Sequence, residues 1–213
     1  MPVSCFLRGT RIQTAAGERC VEEIAIGDQV WSARGEYFPV KWIGRRRYRQ
    51  TVAGSSWPEA ILPVRVSRYA LDGQTPHADL YISTAHQLYI DGVLISAIDL
   101  VNGVSIVQAL PEGVRDIEYY HIELDTHEVI YAEGAAVETL LGTSDRETFS
   151  NFAEYRRLYG SEFQPAMIPF APSSSGRGRR ALVRRIASRV IDVRNPSQVA
   201  YDRIAALALD AAG

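Results

Sequence analysis

Residues 5–30, CFLRGTRIQTAAGERCVEEIAIGDQV, hold the pattern that decides the fold. Within them RIQT (11–14) and RCVEEI (19–24) alternate polar and apolar side chains around Ala15-Ala16-Gly17, the pattern of a hairpin with a glycine turn. Gly27-Asp28 closes that unit. Ahead of it stands Cys5, followed by Gly9-Thr10. A cysteine is ordinarily a small buried hydrophobe, and Cys20, mid-strand with no motif around it, is assigned to the core on that ground. Cys5 takes on another meaning only from segments farther along.

Working outward, short runs rich in Val, Ile, Tyr and Trp recur at 29–32, 40–43, 62–67 and 80–83, separated by Gly, Pro or Asp. Residues 87–90 and 93–96 flank Asp91-Gly92, a two-residue signal for a type I′ hairpin whose central residues need positive φ. Residues 104–108 follow Asn102-Gly103, and strands are expected at 117–124, 128–132 and 134–139. The rhythm is all-β, a sandwich or barrel-like domain with few helices before residue 143.

The character changes at Gly142, which divides a β domain (1–142) from a helical C-terminal extension (143–213). Ser144-Asp145-Arg146-Glu147 fits a capping box opening a helix with Phe149, Phe152, Tyr155 and Tyr159 on one broad face, ending near Gly160. A Pro/Ser/Gly linker follows near 165–178. Leu182, Ile186 and Val190 then repeat at four-residue spacing among the arginines of Arg177–Arg189, giving a basic amphipathic helix. Such a helix is either a solvated face or a site for an anionic surface or an acidic protein. A last helix starts at Asn195 as cap with Pro196 in its first turn.

With 213 residues, 46% hydrophobic and 23% charged, the chain has the composition of an ordinary globular protein. A net charge of −2 argues against the whole molecule binding nucleic acid. Two cysteines cannot make a disulfide framework, and their spacing with four scattered histidines matches no structural zinc pattern. No run approaches the ~20 apolar residues of a membrane span, and no signal peptide is visible, so a reducing, cytoplasmic setting is the default expectation.

Three segments bear on chemistry: the surroundings of Cys5; Ser83-Thr84-Ala85-His86 at the end of a strand; and Tyr120-His121-Ile122-Glu123-Leu124-Asp125-Thr126-His127. A thiol needs a base to become a thiolate, and a peptide nitrogen needs a proton before it can leave; histidine can do both. His77 lies in a polar loop and has no such case. Glu123 and Asp125 are expected to face solvent.

In their order along the chain these segments resemble the Hint (Hedgehog/intein) superfamily, most closely the bacterial Hint-domain proteins. Residues 5–30 look like that family's first block, residues 80–103 (LYISTAHQLYIDGVLISAIDLVNG) resemble its second, and residues 119–134 (YYHIELDTHEVIYAEG) are similar to the block near the domain's end. The resemblance covers about residues 5–142 and implies a horseshoe-like, Hint-type β fold.

It also implies an activity, single-turnover self-cleavage without a cofactor. Cys5 would attack the Ser4 carbonyl and convert the Ser4–Cys5 bond to a thioester. His86 would protonate the departing amide nitrogen, and Ser83 or Thr84 would hold the amide and the developing oxyanion. From its position, not from the resemblance, His121 would accept the Cys5 proton as a neutral imidazole. The substrate would be the protein's own N-terminal extension; in this chain only Met1 to Ser4 precede Cys5. Splicing inteins end on His-Asn, whereas here AAVETLLGTSD follows Gly134, so cleavage without splicing is expected. Many inteins also carry aspartate at the position of His121. Two other readings stand beside this one: a noncatalytic Hint-like module whose basic C-terminal helix binds an anionic partner, and a cysteine hydrolase acting on other molecules.

Overall fold

The computed structural model describes residues 4–50, 56–141, 146–160, 167–174 and 195–210. Among the described residues there are fourteen strands and two α-helices. A six-stranded antiparallel sheet runs in the order β11 (Ile106–Gln108), β7 (Val64–Val66), β8 (Leu80–Ile82), β1 (Phe6–Leu7), β12 (Ile117–Glu123), β6 (Trp42–Tyr48). An eight-stranded sheet runs β10 (Val93–Ser96), β9 (Gln87–Ile90), β14 (Ala135–Glu138), β13 (Val129–Ala132), β2 (Arg11–Thr14), β4 (Gln29–Trp31), β5 (Tyr37–Pro39), with β3 (Gly17–Cys20) paired to β2. The fold is all-β with a C-terminal helical addition, as the strand rhythm and turn chemistry predict.

Three times the chain leaves the first sheet for the second within a few residues: from β1 to β2, from β8 to β9, and from β12 to β13. The first crossing turns at Gly9, whose φ of 89° is open to a residue without Cβ. Its N–H is caught by Glu22 Oε2 at 2.8 Å. The other two crossings carry Ser83–His86 and Leu124–Glu128. All three segments singled out by the sequence therefore lie on one seam between the sheets.

The main core fills the space between the sheets with Phe6, Ile12, Val30, Leu80, Ile82, Leu88, Ile95, Ile122 and Ile130. A second cluster, on the other side of β1 and β12, joins Cys5, Leu7, Trp42, Ile117, Tyr119 and Leu140 to Phe149 and Tyr155. The Asp91-Gly92 hairpin is present, with φ of 49° and 82° and pairing of Val93 with Ile90.

Two local expectations are corrected. The 19–24 strand stops at Cys20, because Val21–Glu23 form a 3-10 turn with Val21 fully buried and its N–H on the Thr10 carbonyl. Cys20 consequently ends a strand and is half-buried. After residue 145 the chain makes a 3-10 turn, Arg146–Thr148, before α1 (Phe152–Tyr159) begins. Helix α1 closes at Gly160 with φ 77°, and its Phe152, Tyr155 and Tyr159, with Phe149 ahead of it, pack in the second cluster.

The 142/143 boundary, Ser144 and the Arg177–Arg189 helix fall outside the described residues. Of the expected linker, residues 167–174 run along β10: Ser173 bridges Leu94, Leu94 N–H donates to the Pro172 carbonyl and Ser174 N–H to the Leu94 carbonyl, each at 2.9 Å. Helix α2 (Pro196–Asp210) buries Ala200, Ile204 and Ala208, and Ala200 and Ile204 join the main core. No helix among the described residues is long and apolar enough to cross a membrane.

Candidate functional site

Strand register assembles the site. In the six-stranded sheet Phe6 pairs with Tyr120 on one side and Ile82 on the other. One step back, the same registers set Cys5 between His121 and Ser83, and His121 pairs in turn with Gly44. Opposed residues in antiparallel strands share a face, so a cysteine, a histidine and a serine far apart in sequence lie on one rung.

The Cys5 backbone is held at both its peptide bonds: the N–H of the Ser4–Cys5 bond donates to Ser83 Oγ at 2.8 Å, and the carbonyl of the Cys5–Phe6 bond accepts the Ser83 N–H at 2.9 Å. The Ser83 carbonyl accepts the His86 N–H at 3.1 Å, folding the Ser83–His86 crossing back on itself. Thr84 enters through its main chain, its carbonyl accepting the Ile98 N–H at 3.1 Å.

His86 is fully buried, its ring 4.4 Å from Phe6 and 5.2 Å from His121, centroid to centroid. Its Nε2 lies 3.0 Å from the Glu138 carbonyl, which can only accept, so Nε2 carries the ring proton. Burial holds its pKa below the ordinary value, against the charge of Glu138 and the nearby backbone of Cys5 and Glu138. Among the described residues Nδ1 has no hydrogen-bond partner. His86 thus presents a neutral imidazole with a bare nitrogen beside the Cys5 amide.

His121 is also fully buried, and among the described residues neither of its ring nitrogens has a hydrogen-bond partner. Burial first and His86 second drive its pKa well below the ordinary value. Its ring stacks at 6.5 Å on Phe149.

Cys5 is 1% exposed. It packs with Leu7, Trp42 and Tyr119, and with the partly buried Tyr48, which sets it on their side of the sheet.

One residue at the centre was not singled out by the sequence. Glu138, 3% exposed at the end of β14, accepts the Ser4 hydroxyl at 2.9 Å and the Gln87 N–H at 3.1 Å on Oε1. Its Oε2 lies 3.6 Å from Nε2 of buried His127. His127 takes the Phe170 N–H on Nδ1 at 2.9 Å, which leaves its ring proton on Nε2, beyond hydrogen-bond reach of that carboxylate. Glu138 also lines a pocket of about 350 Å³ with Gln87, Leu94 and Phe170.

Glu123, expected at the surface, is wholly buried. Ile117, Tyr119, His121 and Glu123 alternate onto one face of β12, and Arg146 closes on the carboxylate with two bonds of 2.7 Å. Asp125 is exposed as expected, and His77 pairs with Glu18 at 2.6 Å, away from the site.

The gp41-1 intein has a TM-score of 0.41 and 16% identity, over 63% of this chain and 98% of the intein. The MchDnaB-1 intein variant N145AA gives 0.43 and 19%, over 63% and 99%. A DnaB intein from Synechocystis sp. PCC 6803 gives 0.43 and 8%, over 65% and 99%. No curated protein matches the chain. The family model for the Hint domain matches residues 4–144, well over half of the sequence, and the chain belongs to the Hint domain family.

Proposed function

We propose that the chain is a self-processing Hint domain that cleaves the bond between Ser4 and Cys5 through a thioester, without splicing. The observation that carries this reading is the pair of buried imidazoles, His86 and His121, each with a nitrogen lacking a partner among the described residues, flanking a cysteine whose amide is clamped by Ser83.

The Cys5 thiol gives its proton to His121, and the sulfur attacks the Ser4 carbonyl carbon. The tetrahedral adduct collapses with loss of the Cys5 nitrogen, which receives the thiol's proton: His121 passes it to the lone pair of His86 Nδ1, and Nδ1 hands it on to the nitrogen. Ser83 keeps the amide in place through the hydrogen bond it accepts from the Cys5 N–H. Water then attacks the thioester carbon, freeing the upstream carboxylate and restoring the thiol. The overall change is hydrolysis of one peptide bond. The strand ending at Glu138 is followed by Thr139 and Leu140 with no asparagine to cyclise, which supports release over splicing.

One observation favours the noncatalytic reading: Cys5 lies in an apolar cluster with Trp42 and Tyr119, closed by Phe149 and Tyr155. A reporter protein fused upstream of Ser4 decides between them. Intact mass is followed with and without hydroxylamine for the natural sequence, Cys5→Ala and His86→Ala. Release from the natural sequence, abolished by Cys5→Ala, is expected; a folded fusion that stays whole under every condition sinks the proposal.

A further inference from the structure

We infer that Glu138 determines which residue is accepted immediately before Cys5, selecting a side chain that carries a hydroxyl. This rests on the processing reading, since it names the residue on the acyl side of the bond to be cut.

Glu138 is a buried carboxylate with one donor fixed by the fold: the Gln87 N–H belongs to β9 and is held by the sheet. The His127 ring, oriented by the Phe170 N–H, stands off at 3.6 Å, beyond hydrogen-bond reach. The remaining donor is the Ser4 hydroxyl at 2.9 Å, supplied by the substrate segment itself. The same hydroxyl lies 3.4 Å from the Ala85 carbonyl, so it meets acceptors only. A hydroxyl suits that position because it donates one proton to an ionised acceptor.

An alanine there leaves Oε1 one donor short, and a valine sets methyl groups against a buried charge. Both are penalised by about tenfold or more, the usual consequence of removing a donor from a buried charged acceptor. Threonine retains the donor.

Glu138 also couples residue 4 to the proton relay. Its side chain holds Ser4, and its own carbonyl accepts His86 Nε2–H at 3.0 Å. A residue that engages the carboxylate therefore helps to seat the scissile carbonyl beside the ring that acts on the neighbouring amide.

The test uses the full chain with a reporter upstream of residue 4. Hydroxylamine-induced release is timed for the natural sequence, Ser4→Thr, Ser4→Ala and Ser4→Val, each with and without Glu138→Ala. Ser and Thr should outpace Ala and Val by about tenfold, and Glu138→Ala should compress that ratio to within about twofold. Equal rates in the natural background, or an undiminished ratio in Glu138→Ala, overturn the inference.

A second measurement does not depend on cleavage. In the Cys5→Ala chain, which cannot react, a denaturant cycle of Ser4→Ala and Glu138→Ala should show at least threefold coupling in the unfolding constant. If no fusion is cut, the processing reading has failed, and this cycle alone decides whether Glu138 grips residue 4: strict additivity overturns it.

Discussion

Cys5 and Ser83 exchange hydrogen bonds: the cysteine N–H donates to the serine hydroxyl at 2.8 Å and the serine N–H to the cysteine carbonyl at 2.9 Å. The N–H of the bond that the proposed cleavage would break is thereby held by a side chain at the crossing from β8 to β9. Loss of that hydroxyl would remove the bond that orients this N–H toward the proposed proton relay.

Ser83→Ala is accordingly expected to slow release of an upstream reporter by about tenfold to a hundredfold, the scale of a misplaced reacting group, and to cost about 1–3 kcal/mol of stability by removing the acceptor of a buried N–H. Single-turnover release with hydroxylamine, compared with the unfolding midpoint, checks this. A Ser83→Ala rate equal to that of the natural sequence removes Ser83 from the site.

Stability should also fall with pH, through His86 and His121. Both are buried, and both have folded-state pKa values pushed below the ordinary 6.5, His121 the further. Between the folded and unfolded values the unfolded chain binds more protons, so the stabilisation is complete above about 6.5 and drains away as the pH falls below it. The slope is about 1.4 kcal/mol per pH unit for each histidine while its ring stays neutral in the fold. Urea unfolding of the Cys5→Ala chain at pH 7.5, 6.5 and 5.5 measures it. His121→Gln should flatten the profile, and a profile that is flat from the start contradicts the buried neutral rings.

Much of this arrangement was legible in the sequence, for definite reasons. Asp91-Gly92 fixed a hairpin because few dipeptides tolerate two positive φ angles, and the register of β9 and β10 follows from it. Cys5, Ser83, His86 and His121 were singled out together because three segments, taken in order, resemble one family, and the strand register brings them near one another. Glu138 was not, since it ends the plain strand AAVE and is defined by Ser4 and His127, which only folding brings near. Glu123 had a readable signal in its alternation with Tyr119 and His121. What hid its burial was the distance along the chain to its counter-charge, Arg146.

Gly44 gives a prediction about the wall of the site. It pairs with His121, and a Cβ placed on it would meet the Phe149 ring at 2.7 Å. Gly44→Ala therefore forces the ring away from His121 and should cost about 1–3 kcal/mol through overpacking. Gly44→Ala with Phe149→Leu should recover part of that loss. Denaturant unfolding of the single and double variants measures both, and a neutral Gly44→Ala refutes the close contact.

The last prediction concerns what holds the 146–160 segment against the β domain. Arg146 and Glu123 are 3% and 0% exposed and share two bonds of 2.7 Å; the guanidinium also lies 4.7 Å from the Tyr155 ring centroid. Lys41 Nζ is the next cation, at 3.6 Å from Glu123. Burying the pair costs desolvation of both ions, so its net worth is small, but removing one ion strands the other. Arg146→Met should destabilise by about 3–5 kcal/mol, tempered by Lys41. Arg146→Lys should recover only part of that, because an ammonium cannot make the paired bonds. Glu123→Leu together with Arg146→Met removes both charges and should sit well above Arg146→Met alone. Urea midpoints for the three variants discriminate: if the double variant is no more stable than Arg146→Met, the loss comes from the packing of Phe149 and Tyr155 rather than from a stranded carboxylate.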